Sequence, residues 1–177
     1  LAILRAGTQA DDQAREEDPS IDKLASELKR VSPKDPDTSR DLVQLHKDFR
    51  IELVAGEPLI HDPAAIDFDE NGRIFVAQLP EYNAYAAKDF KGQGSVHMLT
   101  DSNGDGRYDQ RTVYADKLHY PTAVACWDGG IFIGAAPDLL YAKDTDGDGV
   151  ADIRRVVMTG FGKDHAGEAH LNSMRWG

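Results

Sequence analysis

Cysteine is nearly missing from this chain. Cys126 is the only one in 177 residues, so no internal disulfide can form. It sits in the apolar run AVACW and reads as a small core residue. There is no CxxCH, so nothing here attaches a c-type haem. Basic residues are also short, with 20 Lys and Arg against 31 Asp and Glu and a net charge of −11. That balance disfavours a nucleic-acid partner, because phosphate binding needs a basic patch. No apolar run approaches the roughly 20 residues of a membrane-spanning helix. What is present is 41% apolar residues, enough for a core, and two copies of one acidic word.

Residues 101–109 read DSNGDGRYD and residues 144–152 read DTDGDGVAD. Each copy sets acid or amide at the first, third and fifth positions, Gly at the sixth and Asp at the ninth. Such alternation turns hard oxygen ligands toward one centre, and the Gly permits the sharp turn that closes the loop, which suits Ca²⁺. The expected ligands are Asp101, Asn103, Asp105 and Asp109 in one loop and Asp144, Asp146, Asp148 and Asp152 in the other. The backbone carbonyls of Arg107 and Val150 would complete the two sites. An EF-hand would carry Glu at the twelfth position, where this chain has Thr112 and Arg155. The flanking segments SVHMLT, RTVYA, DLLYAK and IRRVVM are β-rich, so the loops cap β-hairpins rather than join helices. The competing reading is a pair of Asp/Gly-rich turns that hold no metal.

The ends of the chain carry their own expectations. LAILRAGTQADD, with no initial Met, reads as the last part of a signal peptide cut after Ala10, although its apolar run is short and Arg5 interrupts it. The compartment would then be secreted, periplasmic or cell envelope. MRWG stops inside a strand-like pattern, so the chain reads as a fragment. Residues 11–48 read as a charged leader with one short helix, where Ile21, Leu24, Leu28 and Val31 follow Ser20 at helical spacing. A linker, SPKDPDTSRD, and a turn around Leu42 and Leu45 follow.

From Phe49 the period changes to that of strands, and a repeat appears. HDPAAIDF at 61, HYPTAVAC at 119 and HLNSMRWG at 170 align. The first two continue through a turn, an apolar strand, a further strand, an acidic loop and a fourth strand. The strands predicted are A (64–68, 122–127), B (73–78, 130–135), C (94–100, 138–143) and D (111–115, 153–158). Four antiparallel strands recurring at such spacing mark β-propeller blades. The fold class expected is therefore all-β, with residues 49–177 forming an incomplete β-propeller. It would comprise two four-stranded antiparallel blades and the first strand of a third, behind a short helical leader. A β-sandwich with accidental repetition is the alternative.

Antiparallel order puts the D–A and B–C connections on one side and both acidic loops on the other. His61, His119, His170, the insertion 79–94 with Tyr82 and Tyr85, and the loop GFGKDHAGEAH at 160–170 then share a face. Asp164, His165, Glu168 and His170 offer acid, base or ligand groups there. His61 and His119, each two residues before Pro, suit a hydrogen-bonded turn. Tyr82 and Tyr85 suit either a sugar-stacking platform or loop packing.

The stretches FRIELVAGEPLIHDPAAIDFDENGRIFVAQLPEY, GSVHMLTDSNGDGRYDQRTVYADKLHYPTAVACW, AAPDLLYAKDTDGDGVADIRRVVMTGFG and HLNSMRWG resemble the bacterial membrane-bound dehydrogenase domain family. The resemblance covers residues 41–177. It implies a secreted or envelope protein with an N-terminal propeller, often followed by helical repeats and a c-type haem domain. That propeller is in turn similar to soluble quinoprotein glucose and sorbosone dehydrogenases, which oxidise sugars with pyrroloquinoline quinone (PQQ). Carried onto HLNSMRWG, the resemblance makes His170 the general base and Arg175 a cofactor contact, with Asn172 and Ser173 standing where those enzymes have glycines. It implies calcium, PQQ and a sugar or alcohol as ligands. A non-catalytic propeller that binds carbohydrate or protein is the reading from another class.

Overall fold

The computed structural model describes residues 23, 26, 27, 32–80, 82, 91–162 and 171–175. Two units divide the chain, Leu1–Asp35 and Pro36–Gly177. In the first, Lys23, Ser26 and Glu27 are helical. The positions expected to line that helix and the expected signal peptide lie outside the described residues.

The expected linker is corrected in part, because Pro36–Asp41 forms a short helix. Proline tolerates the first helical turn, where its missing N–H would have no partner. Asp37 lies in the first turn and Arg40 in the last, matching the helix dipole, and the two pair at 3.0 Å.

Beyond the helix the chain is mostly β. Among the described residues eight strands follow: β1 (Pro63–Phe68), β2 (Ile74–Gln78), β3 (Gly94–Thr100), β4 (Gln110–Leu118), β5 (Pro121–Trp127), β6 (Gly130–Ala135), β7 (Asp138–Lys143) and β8 (Ile153–Thr159). They form two four-stranded sheets, ordered β1-β2-β3-β4 and β5-β6-β7-β8, with every neighbouring pair antiparallel. Neither sheet closes into a barrel. The third repeat is a correction at this level. Leu171–Arg175 carry no strand, since a strand requires a ladder partner and these residues have none among those described.

Local chemistry sets the hairpins. At the β1–β2 turn the Asp69 carboxylate accepts the N–H groups of Asn71 and Arg73 at 3.0 and 2.8 Å, and the Arg73 guanidinium at 2.6 Å. At the β5–β6 turn Asp128 and Gly129 both take positive φ, 51° and 69°, as an Asp-Gly two-residue hairpin requires. β2 is buried along its whole length, which explains why its sequence, IFVAQ, does not alternate.

One core joins the two sheets. Phe75 and Ala77 of β2, Val96 and Met98 of β3, and Tyr114, Ala115 and Leu118 of β4 pack against Val124, Ile131, Ile133, Ala135 and Ala142 of the second sheet. β5 lies against β1 and β2. The opposite face of the first sheet carries a smaller cluster, Ile74, Val76 and Leu99, covered by Ala55, Leu59, Ile60 and Tyr108.

Candidate functional site

The ladder registers separate two ends of the sheets. Thr100 pairs with Gln110 at the end where the first acidic loop leaves, whereas Gly94 pairs with Leu118 at the other. The second sheet repeats this, with Lys143 opposite Ile153 beside the second loop and Asp138 opposite Thr159 far from it. Pro63 pairs with Gln78 at the end away from the acidic loops.

The two acidic loops fold alike, bond for bond. In the first, Asp101 Oδ1 accepts the amides of Asn103 and Gly104 at 3.3 and 2.7 Å, and Oδ2 accepts that of Gly106 at 2.8 Å. In the second, Asp144 Oδ1 accepts those of Asp146 and Gly147 at 3.2 and 2.7 Å, and Oδ2 that of Gly149 at 2.9 Å. Asn103 and Asp105 accept the amides of Asp105 and Arg107, and Asp146 and Asp148 those of Asp148 and Val150. Asp109 closes the first loop on the amide and hydroxyl of Ser102 at 3.0 and 2.5 Å. Asp152 closes the second on Thr145 at 2.7 and 2.9 Å. Gly106 and Gly149, at the sixth position, have φ of 88° and 87°, which only glycine adopts without strain.

These bonds favour the ionised carboxylates. The Gly106 amide and its neighbours hold Asp101 below the usual range, and the Ser102 hydroxyl does the same for Asp109. Burial pushes Asp144 up, but the Gly147, Gly149 and Asp146 amides together outweigh it. Thr145 lowers Asp152. Oxygens of Asp144, Asp146 and Asp152 all lie within 4.8 Å of one another. Ca²⁺ binds oxygen at about 2.3–2.6 Å, so ligands across the ion sit up to ~5 Å apart, and this set fits. Asp148 is not in that set, and in the first loop Asn103 stands where Asp146 does. The twelfth positions take no part: Thr112 is laddered to Met98, and Arg155 lies over the Tyr141 ring at 5.3 Å.

At the other end lies an open groove of about 910 Å³. Three segments line it, Asp62–Ile66, Thr122–Val124 and Asn172–Arg175, joined by Leu79, Pro80 and Tyr82. The third segment is held by the Thr122 hydroxyl, which donates to the Leu171 carbonyl at 2.6 Å. Gly134 permits this approach, since a Cβ there would stand 3.3 Å from the Leu171 side chain. Arg175 is exposed in the groove and donates to the Met174 carbonyl at 3.1 Å. His170, Asp164, His165, Glu168 and Tyr85 lie outside the described residues. His119 Nδ1 is 3.1 Å from the Ala136 carbonyl, and His61 is 3.5 Å from Glu57, so both sit in turn contacts, and neither lines the groove. Sequence reasoning missed Asp62, Thr122 and Ser173. The signal for them was their place in the aligned HDPAAIDF, HYPTAVAC and HLNSMRWG words.

A protein-family model described as a domain of unknown function (DUF7133) matches residues 35–177. The chain belongs to this family. The match takes in the helix, both sheets, both acidic loops and every groove segment. No curated protein matches the chain, and no solved structure does.

Proposed function

We propose that this chain is part of a secreted or envelope-associated, calcium-binding β-propeller whose mouth takes a sugar or alcohol. The observation that carries the reading is the groove: matching segments of the two sheets, and the segment Asn172–Arg175, converge on it at the end of the sheets away from both acidic loops. That arrangement suits blades around a common axis, with their first strands innermost. Asp62, Thr122, Asn172 and Ser173 offer polar groups to hydroxyls, and Tyr82 offers a ring face. The acidic loops are then calcium clips remote from the ligand, with modest affinity because neither has a bidentate Glu.

Two activities follow for such a mouth. By resemblance to quinoprotein dehydrogenases, the protein oxidises a sugar or alcohol with PQQ, His170 acting as base and Arg175 contacting the cofactor. PQQ would supply the two-electron acceptor. It is a tricarboxylate, however, and Arg175 is the single cation of the groove among the described residues. Those residues alone do not make a PQQ site; the second reading is a non-catalytic propeller that binds carbohydrate or protein. Dye reduction with PQQ, Ca²⁺ and a panel of sugars and alcohols separates the two, run alongside calorimetric titration of the same sugars. Turnover lost in His170→Ala supports the dehydrogenase. Sugar binding without turnover supports the binding module, and neither signal overturns the ligand assignment.

A further inference from the structure

The two faces that meet between the sheets have a partial duplicate on the far side of the first sheet. Aligning the acidic loops makes Tyr108 the counterpart of Ala151, and Leu99 that of Ala142. Aligning the second strands of the sheets makes Ile74 and Val76 the counterparts of Ile131 and Ile133. Ile131, Ile133, Ala142 and Ala151 are buried against the first sheet. Ile74, Val76, Leu99 and Tyr108 are grouped in the same way, but against Ala55, Leu59 and Ile60.

The main chain repeats the relationship. The Ala151 amide donates to the Tyr114 carbonyl of β4 at 2.9 Å, and the Tyr108 amide donates to the Val54 carbonyl at the same distance. Val54–Ala55 therefore stand toward the first sheet as Tyr114–Ala115 of β4 stand toward the second. Residues 50–55 occupy the place of a fourth strand, yet they have no ladder among the described residues.

Among the described residues no further strand lies against this face, and two of its apolar side chains are exposed. Ile66 is 56% exposed, whereas its counterpart Val124 is 6% exposed in the shared core. Val54 is 37% exposed against 1% for Tyr114. On the same face, Gln78 and His97 are buried, with Gln78 Nε2 and His97 Nδ1 lacking any hydrogen-bond partner.

We propose that residues 50–55 are the fourth strand of a further four-stranded sheet, whose first three strands come from another repeat of the same polypeptide. That sheet would cover Ile66 as the first sheet covers Val124, and would offer polar partners to Gln78 Nε2 and His97 Nδ1. A second copy of this chain does not fit. The face it would offer, on β5–β8, already has β8 in the fourth position, where residues 50–55 lie. The inference goes beyond the propeller reading and depends on neither calcium nor any reaction.

The test is amide hydrogen exchange at residues 50–55, measured in this 177-residue chain and in the longest polypeptide its open reading frame encodes. Exchange is expected to be fast in the short chain and at least about 100-fold slower in the long one, the free-energy equivalent of roughly 2.7 kcal/mol of opening. Equal rates in the two would overturn the proposal. So would protection in the short chain that grows with its concentration, which would assign the partner strand to a second copy.

Discussion

The Asp67 carboxylate accepts the backbone N–H of Cys126 at 2.7 Å, tying β1 of one sheet to β5 of the other. This charge-assisted bond bridges two edge strands that share no ladder. Asp67→Ala is expected to destabilise the fold by about 1–3 kcal/mol, because it leaves that N–H without its acceptor. Urea unfolding, followed by tryptophan fluorescence, measures it, and no change in midpoint would count against the bridge.

The same carboxylate bears on the thiol. Burial, reinforced by the charges of Asp67 and Asp69, pushes Cys126 up to about 12. Cys126 should therefore resist alkylation at pH 8 in the native protein and react readily in denaturant. The folded pKa is raised, so stability is fully present below about pH 9 and declines as pH rises toward 12. Rapid native labelling at pH 8 would refute the assignment.

His97 supplies the opposite case. Burial, with help from Arg111 and His61, lowers its pKa below 6.5. A depressed folded value means the contribution is present above about pH 6.5 and is lost as pH falls through the folded pKa. Thermal melts between pH 7.5 and 5 should show a steeper decline for wild type than for His97→Leu, which has nothing to protonate. Parallel curves would show that His97 does not drive the loss.

Ca²⁺ is expected to bind the Asp144–Asp152 loop more tightly than the Asp101–Asp109 loop, because its ligand positions carry four carboxylates rather than three, and three of them, Asp144, Asp146 and Asp152, converge. At a free concentration 100 times the dissociation constant, one site adds about 2.7 kcal/mol. Calorimetry on chelator-stripped protein, with Asp144→Ala and Asp101→Ala as single-loop knockouts, checks both the order and the gain. No heat and no rise in melting temperature at millimolar Ca²⁺ would remove both sites.

Gly94 opens β3 beneath the entry to β5. A Cβ there would lie 2.2 Å from Pro121 Cδ and 2.7 Å from the Leu118 carbonyl oxygen. Gly94→Ala should cost about 3 kcal/mol, since both neighbours are held by ladders and cannot withdraw. A melting temperature within a degree of wild type would show that the junction yields.

The strands were legible because β-rich composition, turn residues and the repeated acidic word agreed on them. The segments that went unread lacked such agreement. PDTSRD has no apolar stripe, so its helix rests on proline placement and an Asp37–Arg40 pair rather than on a buried face. Residues 50–55 have strand composition and Leu171–Arg175 a strand-like pattern, yet neither is a strand, because pairing with a neighbour decides the matter. Sidedness was legible from topology alone. The groove residues Asp62, Thr122 and Ser173 were not, since at single positions they look like ordinary surface polar residues.

β8 has an unusual surface for a strand carrying Val156, Val157 and Met158: all seven of its residues are exposed, and it forms the edge of its sheet. Such an edge invites other chains to add strands to it. Two arginines at its start counter that. Arg154 is held by the Asp116 carbonyl and carboxylate at 3.0 and 3.2 Å, while Arg155 lies over Tyr141. Both present fixed positive charge beside the apolar stretch, the arrangement of gatekeeper residues that keep an unavoidable hydrophobic strand from seeding aggregates. The practical result concerns handling: neutralising Arg154 and Arg155 together should lower soluble yield more than it lowers the melting temperature.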